Sequence, residues 1–264
     1  MKTLTTITCL FFLLLSCKTD TKKDTSQNTE SDSFEQENLS TQDESAVEIT
    51  PVSHATMVLT YDKQTIFVDP TGGAAAFSGQ KKPTIVLITD IHGDHMHPET
   101  LKALNLTGAK LVMPQAVADK LPNDLIVEES VIINNGQSKT VNGISIEAIP
   151  MYNLREEALK FHEKGRGNGY VLSMGNERVY ISGDTEDIPE MRNLENIDIA
   201  FVCMNLPYTM TVESAASAVL EFKPKKAYPY HYRGTDGLSD VEKFKTLVNQ
   251  GDEDIEVVQL NWYE

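Results

Sequence analysis

The sequence predicts an α/β protein, a sandwich of two sheets with helices on the outer faces (αββα). Two observations carry that reading. Short apolar runs alternate with helical patterns, as in two βαβ-like halves. Three widely separated groups, Asp90 to His95, Asp184 and His231, each follow directly on a predicted strand. In layered α/β proteins the strand C-terminal ends along one edge form the site, so these groups are expected to converge. The chain of 264 residues is long enough for one sizeable domain with a real core, and 40% apolar and 23% charged residues are ordinary for a soluble protein.

Residues 1–17 read as a leader. Met1-Lys2 gives a positive start, and the apolar run from Ile7 to Leu15 is too short to span a bilayer, so it reads as a secretory signal. Its end, Leu14-Leu15-Ser16-Cys17, resembles a bacterial lipobox, in which the cysteine becomes the lipidated first residue. The alternative is a plain signal peptide with an incidental cysteine. The lipoprotein is preferred because the apolar run stops at Cys17 and a tether follows. That tether, residues 18–46, is rich in Ser, Thr, Asp, Glu and Gln and cannot bury enough surface to order itself. It would hold the remaining domain, residues 47–264, off the membrane of the bacterial cell envelope, on the periplasmic or outer surface. The net charge of −16 argues against nucleic acid as a partner. Of three cysteines, Cys9 and Cys17 lie in the leader, so no disulfide within the domain is expected.

Within the domain, Val47 to Ile49, Ala55 to Tyr61 and Thr65 to Val68 read as strands, the last ending in Asp69-Pro70. Gly72 to Lys82 is a loop. Thr84 to Thr89 is a short buried strand, and Pro98 to Leu104 a helix with Pro early in its first turn. Leu111 to Met113 is a strand and Gln115 to Lys120 a short helix. Glu128 to Ile133 and Ser138 to Thr140 fit strands around an Asn134-Asn135-Gly136 turn. Ile144 to Ile149 alternates as a strand, and Leu154 to Leu159 is a candidate helix that Asn153 would cap. A glycine-rich loop, Phe161 to Tyr170, lacks the spacing and the following helix of a phosphate loop, which rejects that reading. Strands follow at Tyr170 to Met174, Arg178 to Ser182 and Asp198 to Met204, with Cys203 as a core residue. Thr211 should cap a helix over Val212 to Phe222. Lys226 to Tyr230 is a strand, Leu238 to Asn249 a helix, and Ile255 to Leu260 a closing strand.

The chemistry concentrates in Asp90-Ile91-His92-Gly93-Asp94-His95, with four possible metal ligands in six residues. Asp90 and His92 are two apart, on the same side of an extended backbone. Gly93 is expected to supply the turn that lets Asp94 and His95 converge. Of six histidines in the chain, His92, His95 and His97 all fall here, which points to metal. Imidazole with carboxylate suits Zn, Mn or Fe.

This stretch resembles the H-x-H-x-D-H signature of the metallo-β-lactamase-fold hydrolases, with Asp90 in place of the first histidine. The span from His54 to Asp69-Pro70 resembles the opening hairpin of the same superfamily. The resemblance runs from about Val47 to the C-terminus. It is closest to the ascorbate-phosphate lactonase-like and phospholipase-D-like branch, on the stretches Gly167 to Tyr170, Gly183-Asp184-Thr185 and Tyr208 to Thr211. It implies an αββα sandwich of the metallo-β-lactamase type and a metal-dependent hydrolase. A metal-bound hydroxide would attack an ester, lactone or phosphodiester in a small-molecule substrate. One Zn would take Asp94, His95 and His231 with Asp184 bridging; the other ion, Zn or the harder Mn or Fe, would take Asp90, His92 and Asp184. Asp94 and His95 are thus the expected catalytic residues. Asn153 stands where the superfamily has a histidine ligand, so it binds substrate or a metal-bound water, or only caps. His162 and Arg166 face the cleft or lie in a surface loop; His162 would supply the imidazole missing at 153, or contact substrate with Tyr208. His54 touches the site or is structural, and Asp69 organises the turn beside it. A non-catalytic metal- or ligand-binding lipoprotein on the same fold is the alternative.

Overall fold

The computed structural model describes residues 46–263. The expected signal peptide, the lipidation site Cys17 and the tether up to residue 45 lie outside the described residues.

Six strands form the first sheet in sequence order: β1 (Glu48–Ser53), β2 (Thr56–Tyr61), β3 (Gln64–Val68), β4 (Ile85–Leu87), β5 (Lys110–Met113) and β6 (Glu129–Ile132). β1 to β3 run as an antiparallel meander, and β3 to β6 are parallel. Period-two alternation decides which residue faces where. Val58, Phe67, Val86 and Leu111 pack with Leu101 of α1 (Pro98–Ala103) and Val117 of α2 (Gln115–Ala118). Their neighbours Met57, Leu59, Ile66, Val68, Ile85, Leu87 and Val112 share a core with the second sheet.

The second sheet begins with four antiparallel strands: β7 (Ser138–Val141), β8 (Ile144–Met151), β9 (Gly167–Met174) and β10 (Glu177–Ile181). After the short α3 (Pro189–Arg192), β11 (Ile199–Cys203) joins β10 in parallel. α4 (Val212–Phe222) then leads to β12 (Lys226–Tyr230), parallel to β11. A hairpin of two-residue strands, β13 (Arg233–Gly234) and β14 (Gly237–Leu238), precedes α5 (Val241–Gly251), and β15 (Glu256–Val257) closes the edge beside β12. Thr211 caps α4 by accepting from the Ser214 N–H at 3.1 Å, and Asp240 caps α5 by accepting from the Lys243 N–H at 2.9 Å. The helices bury Ala215, Ala218, Val219 and Phe222, and Phe244 and Val248, at helical spacing against the same core. A fully buried aliphatic side chain stabilises by about 1.5–3 kcal/mol, so these stripes fix the layers. The αββα expectation therefore holds.

Four local expectations fail. The Asn134–Gly136 turn does form, with the Gln137 N–H donating to the Asn134 carbonyl at 2.9 Å. It joins no hairpin, however: β6 pairs with β5 and β7 with β8, so the turn is the crossing between sheets. Leu154 to Leu159 is a run of turns. Ala158 is its one buried residue, too little burial to offset the cost of starting a helix. Asn153 accordingly caps nothing; its amide donates to the Ala158 carbonyl at 2.9 Å. Gly167 to Gly169 belong to β9 rather than to a loop, and the closing strand shrinks to two residues.

Gly183, at the end of β10, has φ +61°. A Cβ there would lie 2.5 Å from Met151 Sδ and 3.0 Å from the Asn168 carbonyl oxygen. Gly183→Ala combines a left-handed backbone with overpacking and should lower unfolding free energy by about 2–4 kcal/mol in urea melts. An unchanged midpoint would show that β10 can shift to make room.

Candidate metal centre

Strand ends of both sheets supply the side chains. β4 leads into Thr89, Asp90, His92, Asp94 and His95; β10 into Asp184; β12 into His231. The turn after β4 closes by His95 and Met96 N–H bonds to the His92 carbonyl, at 3.0 and 2.8 Å. Gly93 has no left-handed φ, and a Cβ at that position would meet only open space. The expected need for glycine there is therefore corrected: the turn itself brings Asp94 and His95 together. His231 and His54 carry φ of +46° and +57°. Such conformations cost of order 1–3 kcal/mol and persist where the surroundings over-determine them.

His95 is fully buried. Its Nδ1–H donates to Asp69 Oδ2 at 2.8 Å, which leaves the Nε2 lone pair facing the centre. Asp69 also accepts from the Thr89 N–H at 2.8 Å and the Thr89 hydroxyl at 2.6 Å. His95 Nε2 lies 3.4 Å from Asp184 Oδ2 and 3.2 Å from His231 Nε2. His231 Nε2 lies 3.2 Å from Asp184 Oδ1 and 3.5 Å from Asp94 Oδ2. On the other side, His162 Nε2 stands 3.2 Å from Asp184 Oδ2, and Asp90, His92 and His162 form a second group. His92 Nδ1 lies 2.7 Å from Asp90 Oδ2. Both Asp90 oxygens also receive Arg166, Oδ1 from Nε at 3.2 Å and Oδ2 from Nη2 at 3.0 Å.

The donor set fits metal. His162 Nε2 and Asp184 Oδ1 are buried without a hydrogen-bond partner, although His162 is within ion-pair distance of Asp184. Buried polar atoms are rarely left so, and imidazole nitrogens converging on a buried carboxylate are a donor set that can hold a metal cation. Burial alone would raise the Asp184 carboxyl, but His231 and His95 hold it well below the usual carboxylate range. Asp94 behaves alike: burial opposes ionisation, while His231 and His54 outweigh it. Both are carboxylates at neutral pH.

Of the other expected residues, His97 caps α1, accepting from the Thr100 N–H at 3.2 Å, and joins no ligand group among the described residues. Asn153 spends its amide on the Ala158 and Tyr208 carbonyls. Tyr208 and His162 line a cavity of about 350 Å³ together with His92, Asp94, Phe161 and Asp184. A larger groove, about 630 Å³ beside Arg178 and Glu221, shares no residue with the centre. His54 reaches Asp94 Oδ2 at 3.3 Å, and its Nδ1 meets the Tyr263 hydroxyl at 2.7 Å. Sequence reasoning missed Tyr263, Thr89, Arg155 and Glu186. Glu186 accepts from the Leu154 and Arg155 N–H groups and from Arg155 Nε at 2.6 Å, and Arg155 Nη2 donates to the Pro207 and Thr209 carbonyls. The one signal in the sequence was the place of Glu186, two residues past Asp184.

Asp69→Asn should weaken metal binding about 10–100-fold in a competition titration with a chelating dye, because the carboxylate that orients His95 is lost. Unchanged affinity would show that packing alone holds the ring.

Residues 48–231 match the beta-lactamase superfamily domain family. The UPF0173 metal-dependent hydrolase of Thermococcus onnurineus is 30% identical over 76% of this chain and 92% of its own length. A crystal structure of a metal-dependent hydrolase from Parabacteroides distasonis is 37% identical, with a TM-score of 0.72 over 83% of this chain and 94% of that one. The metallo hydrolase Igni18 of Ignicoccus hospitalis, at 22% identity and a TM-score of 0.69 over 83% of this chain and 96% of that one, shares the fold. With three ligand groups gathered among the described residues of such a sandwich, the chain belongs to the beta-lactamase superfamily and is a metallo-β-lactamase-fold metal-dependent hydrolase of the UPF0173 family.

Proposed function

We propose that this centre hydrolyses an ester, lactone or phosphodiester bond in a small molecule. Asp184 carries the reading: buried, it stands within 3.4 Å of His231, His95 and His162, so one carboxylate adjoins imidazoles of both ligand groups. Zn, as one ion or two, would supply the chemistry, lowering the pKa of water from about 15.7 to about 7 and polarising the bond under attack. His95, His231, Asp94 and Asp184 would hold the first ion, an imidazole–carboxylate set that suits Zn.

The protein's own part is orientation and proton handling. Asp94 is the half-exposed member, its side chain 43% accessible, and it lines the cavity. Open to the cavity, its carboxylate would also accept a hydrogen bond from the attacking water and orient it. Phe161 and Tyr208 meet edge to face at 5.0 Å and form an aromatic wall, which suits a substrate with an apolar or planar portion. The Tyr208 hydroxyl accepts from Thr235 Oγ1 at 3.2 Å, which keeps the ring in place. Tethering at the bacterial envelope through a lipid on Cys17 belongs to the same proposal, supported by the Lys2 start, the Ile7–Leu15 run and the polar stretch that follows.

The test is metal content of the full chain by elemental analysis, beside a screen of phosphodiester, ester and lactone substrates. The wild-type protein should carry metal and turn over at least one class. His95→Ala should drop turnover to background and lose an ion. Hydrolysis that persists in the variant would overturn the assignment.

A further inference from the structure

The second ligand group holds more imidazole than the motif after β4 provides. Asp90, which heads that motif, is fully buried, and both its oxygens are engaged by Arg166, while Oδ2 also lies 2.7 Å from His92 Nδ1. A carboxylate neutralised by a guanidinium and already orienting a histidine is a poor direct ligand for a cation. His162 is the reverse case. Its Nδ1–H donates to the Tyr208 carbonyl at 3.2 Å, so Nε2 carries the lone pair. That atom is buried, lacks a hydrogen-bond partner and lies 3.2 Å from Asp184 Oδ2. The His92 and His162 rings stand edge to face with centroids 5.2 Å apart.

Asn153 explains how His162 comes to be there. Its backbone N–H donates to the His162 carbonyl at 3.0 Å and closes the segment between them into a loop. Its side-chain amide donates to the Ala158 carbonyl and, at 2.7 Å, to the same Tyr208 carbonyl that receives His162 Nδ1. Asn153 therefore fixes the loop whose far end bears the imidazole.

We infer that His92, His162 and Asp184 ligate the second ion, with Asp90 and Asn153 as positioning residues that act through His92 and His162. The inference rests on the metallohydrolase reading above. It replaces the expectation of an oxygen-rich second site: two imidazoles and one shared carboxylate favour Zn or Co(II) over Mn. Because Arg166 cancels the Asp90 charge, the second ion binds more weakly than the first.

The test is titration of the chelator-stripped full chain with Zn2+, and with Co2+ followed by its visible absorption. His162→Asn keeps a donor for the Tyr208 carbonyl, at the place of Nδ1, while removing Nε2; circular dichroism checks the fold. The wild-type chain should take two equivalents, the second more weakly. H162N should take one, with first-site affinity retained, whereas Asp90→Asn should keep two with the second weakened about 10–100-fold. Two equivalents in H162N, or loss of the second ion in D90N alone, would overturn the inference. A wild-type chain that takes one ion, and an H162N chain that takes the same one, would overturn it too and leave the hydrolase reading standing. A wild-type chain that takes none would remove both.

Discussion

Asp69 is the carboxylate on which the centre depends. It is fully buried at the end of β3 with φ +44°. An ionised group there is costly unless several donors meet it. Here its backbone N–H bonds the Leu87 carbonyl at 2.9 Å, its own carbonyl accepts from the Thr56 hydroxyl at 2.6 Å, and its side chain receives Thr89 and His95. One residue thus ties the ends of β3 and β4 together and sets the tautomer of a fully buried ligand imidazole. The geometry of the ligand turn follows from this contact rather than from the turn's own residues, since Gly93 needs no special conformation.

The second constraint is that the two sheets must deliver their strand ends to one place. The shared core does this: alternate residues of β2 to β5 face the second sheet, and α4 and α5 press on that sheet from outside. The segment after β8 then has to be pinned across the gap. Arg155 and Glu186 pin it, joining the start of that segment to the residues after Asp184 and to the carbonyls of Pro207 and Thr209. Arg155 is partly exposed while Glu186 is buried, so the pair's value lies in the backbone groups it satisfies more than in its charge.

The layered fold was legible because it rests on local patterns: alternating apolar residues for strands, a capped stretch for α4 and a helical stretch for α5, although α5 starts at Val241 rather than Leu238. The convergence of Asp90 to His95, Asp184 and His231 was legible because Asp90 to His95 is dense in one chemistry and because Asp184 and His231 each end an apolar run. What was not legible depends on distance along the chain. His54 and Tyr263 are 209 residues apart, and no local pattern encodes their bond. Arg155 and Glu186 are 31 apart and read singly as ordinary surface charges. The failed hairpin has the same cause. Asn134 to Gly136 has hairpin chemistry, but which sheet each flanking strand joins is decided by β5 and β8, not by the turn.

Exposure separates the ligands by task. His95, His231, Asp184 and His162 are buried, so packing sets their positions, and hydrogen bonds to Asp69 and to the Tyr208 carbonyl hold His95 and His162 from behind. Asp94 is open to the cavity and has no such packing. An accessible carboxylate held only by its own loop would sample several rotamers. His54 removes that freedom from one side: its ring packs at 3.9 Å on the His231 ring and directs Nε2 to Asp94. Its other nitrogen is held by Tyr263, whose ring lies under the Arg233 guanidinium at 4.1 Å and whose oxygen accepts the Arg233 N–H. The hairpin that opens the domain and the residues that end it therefore meet behind Asp94. That placement ties the position of Asp94 to two residues 209 apart in the chain, although neither lies in the motif after β4.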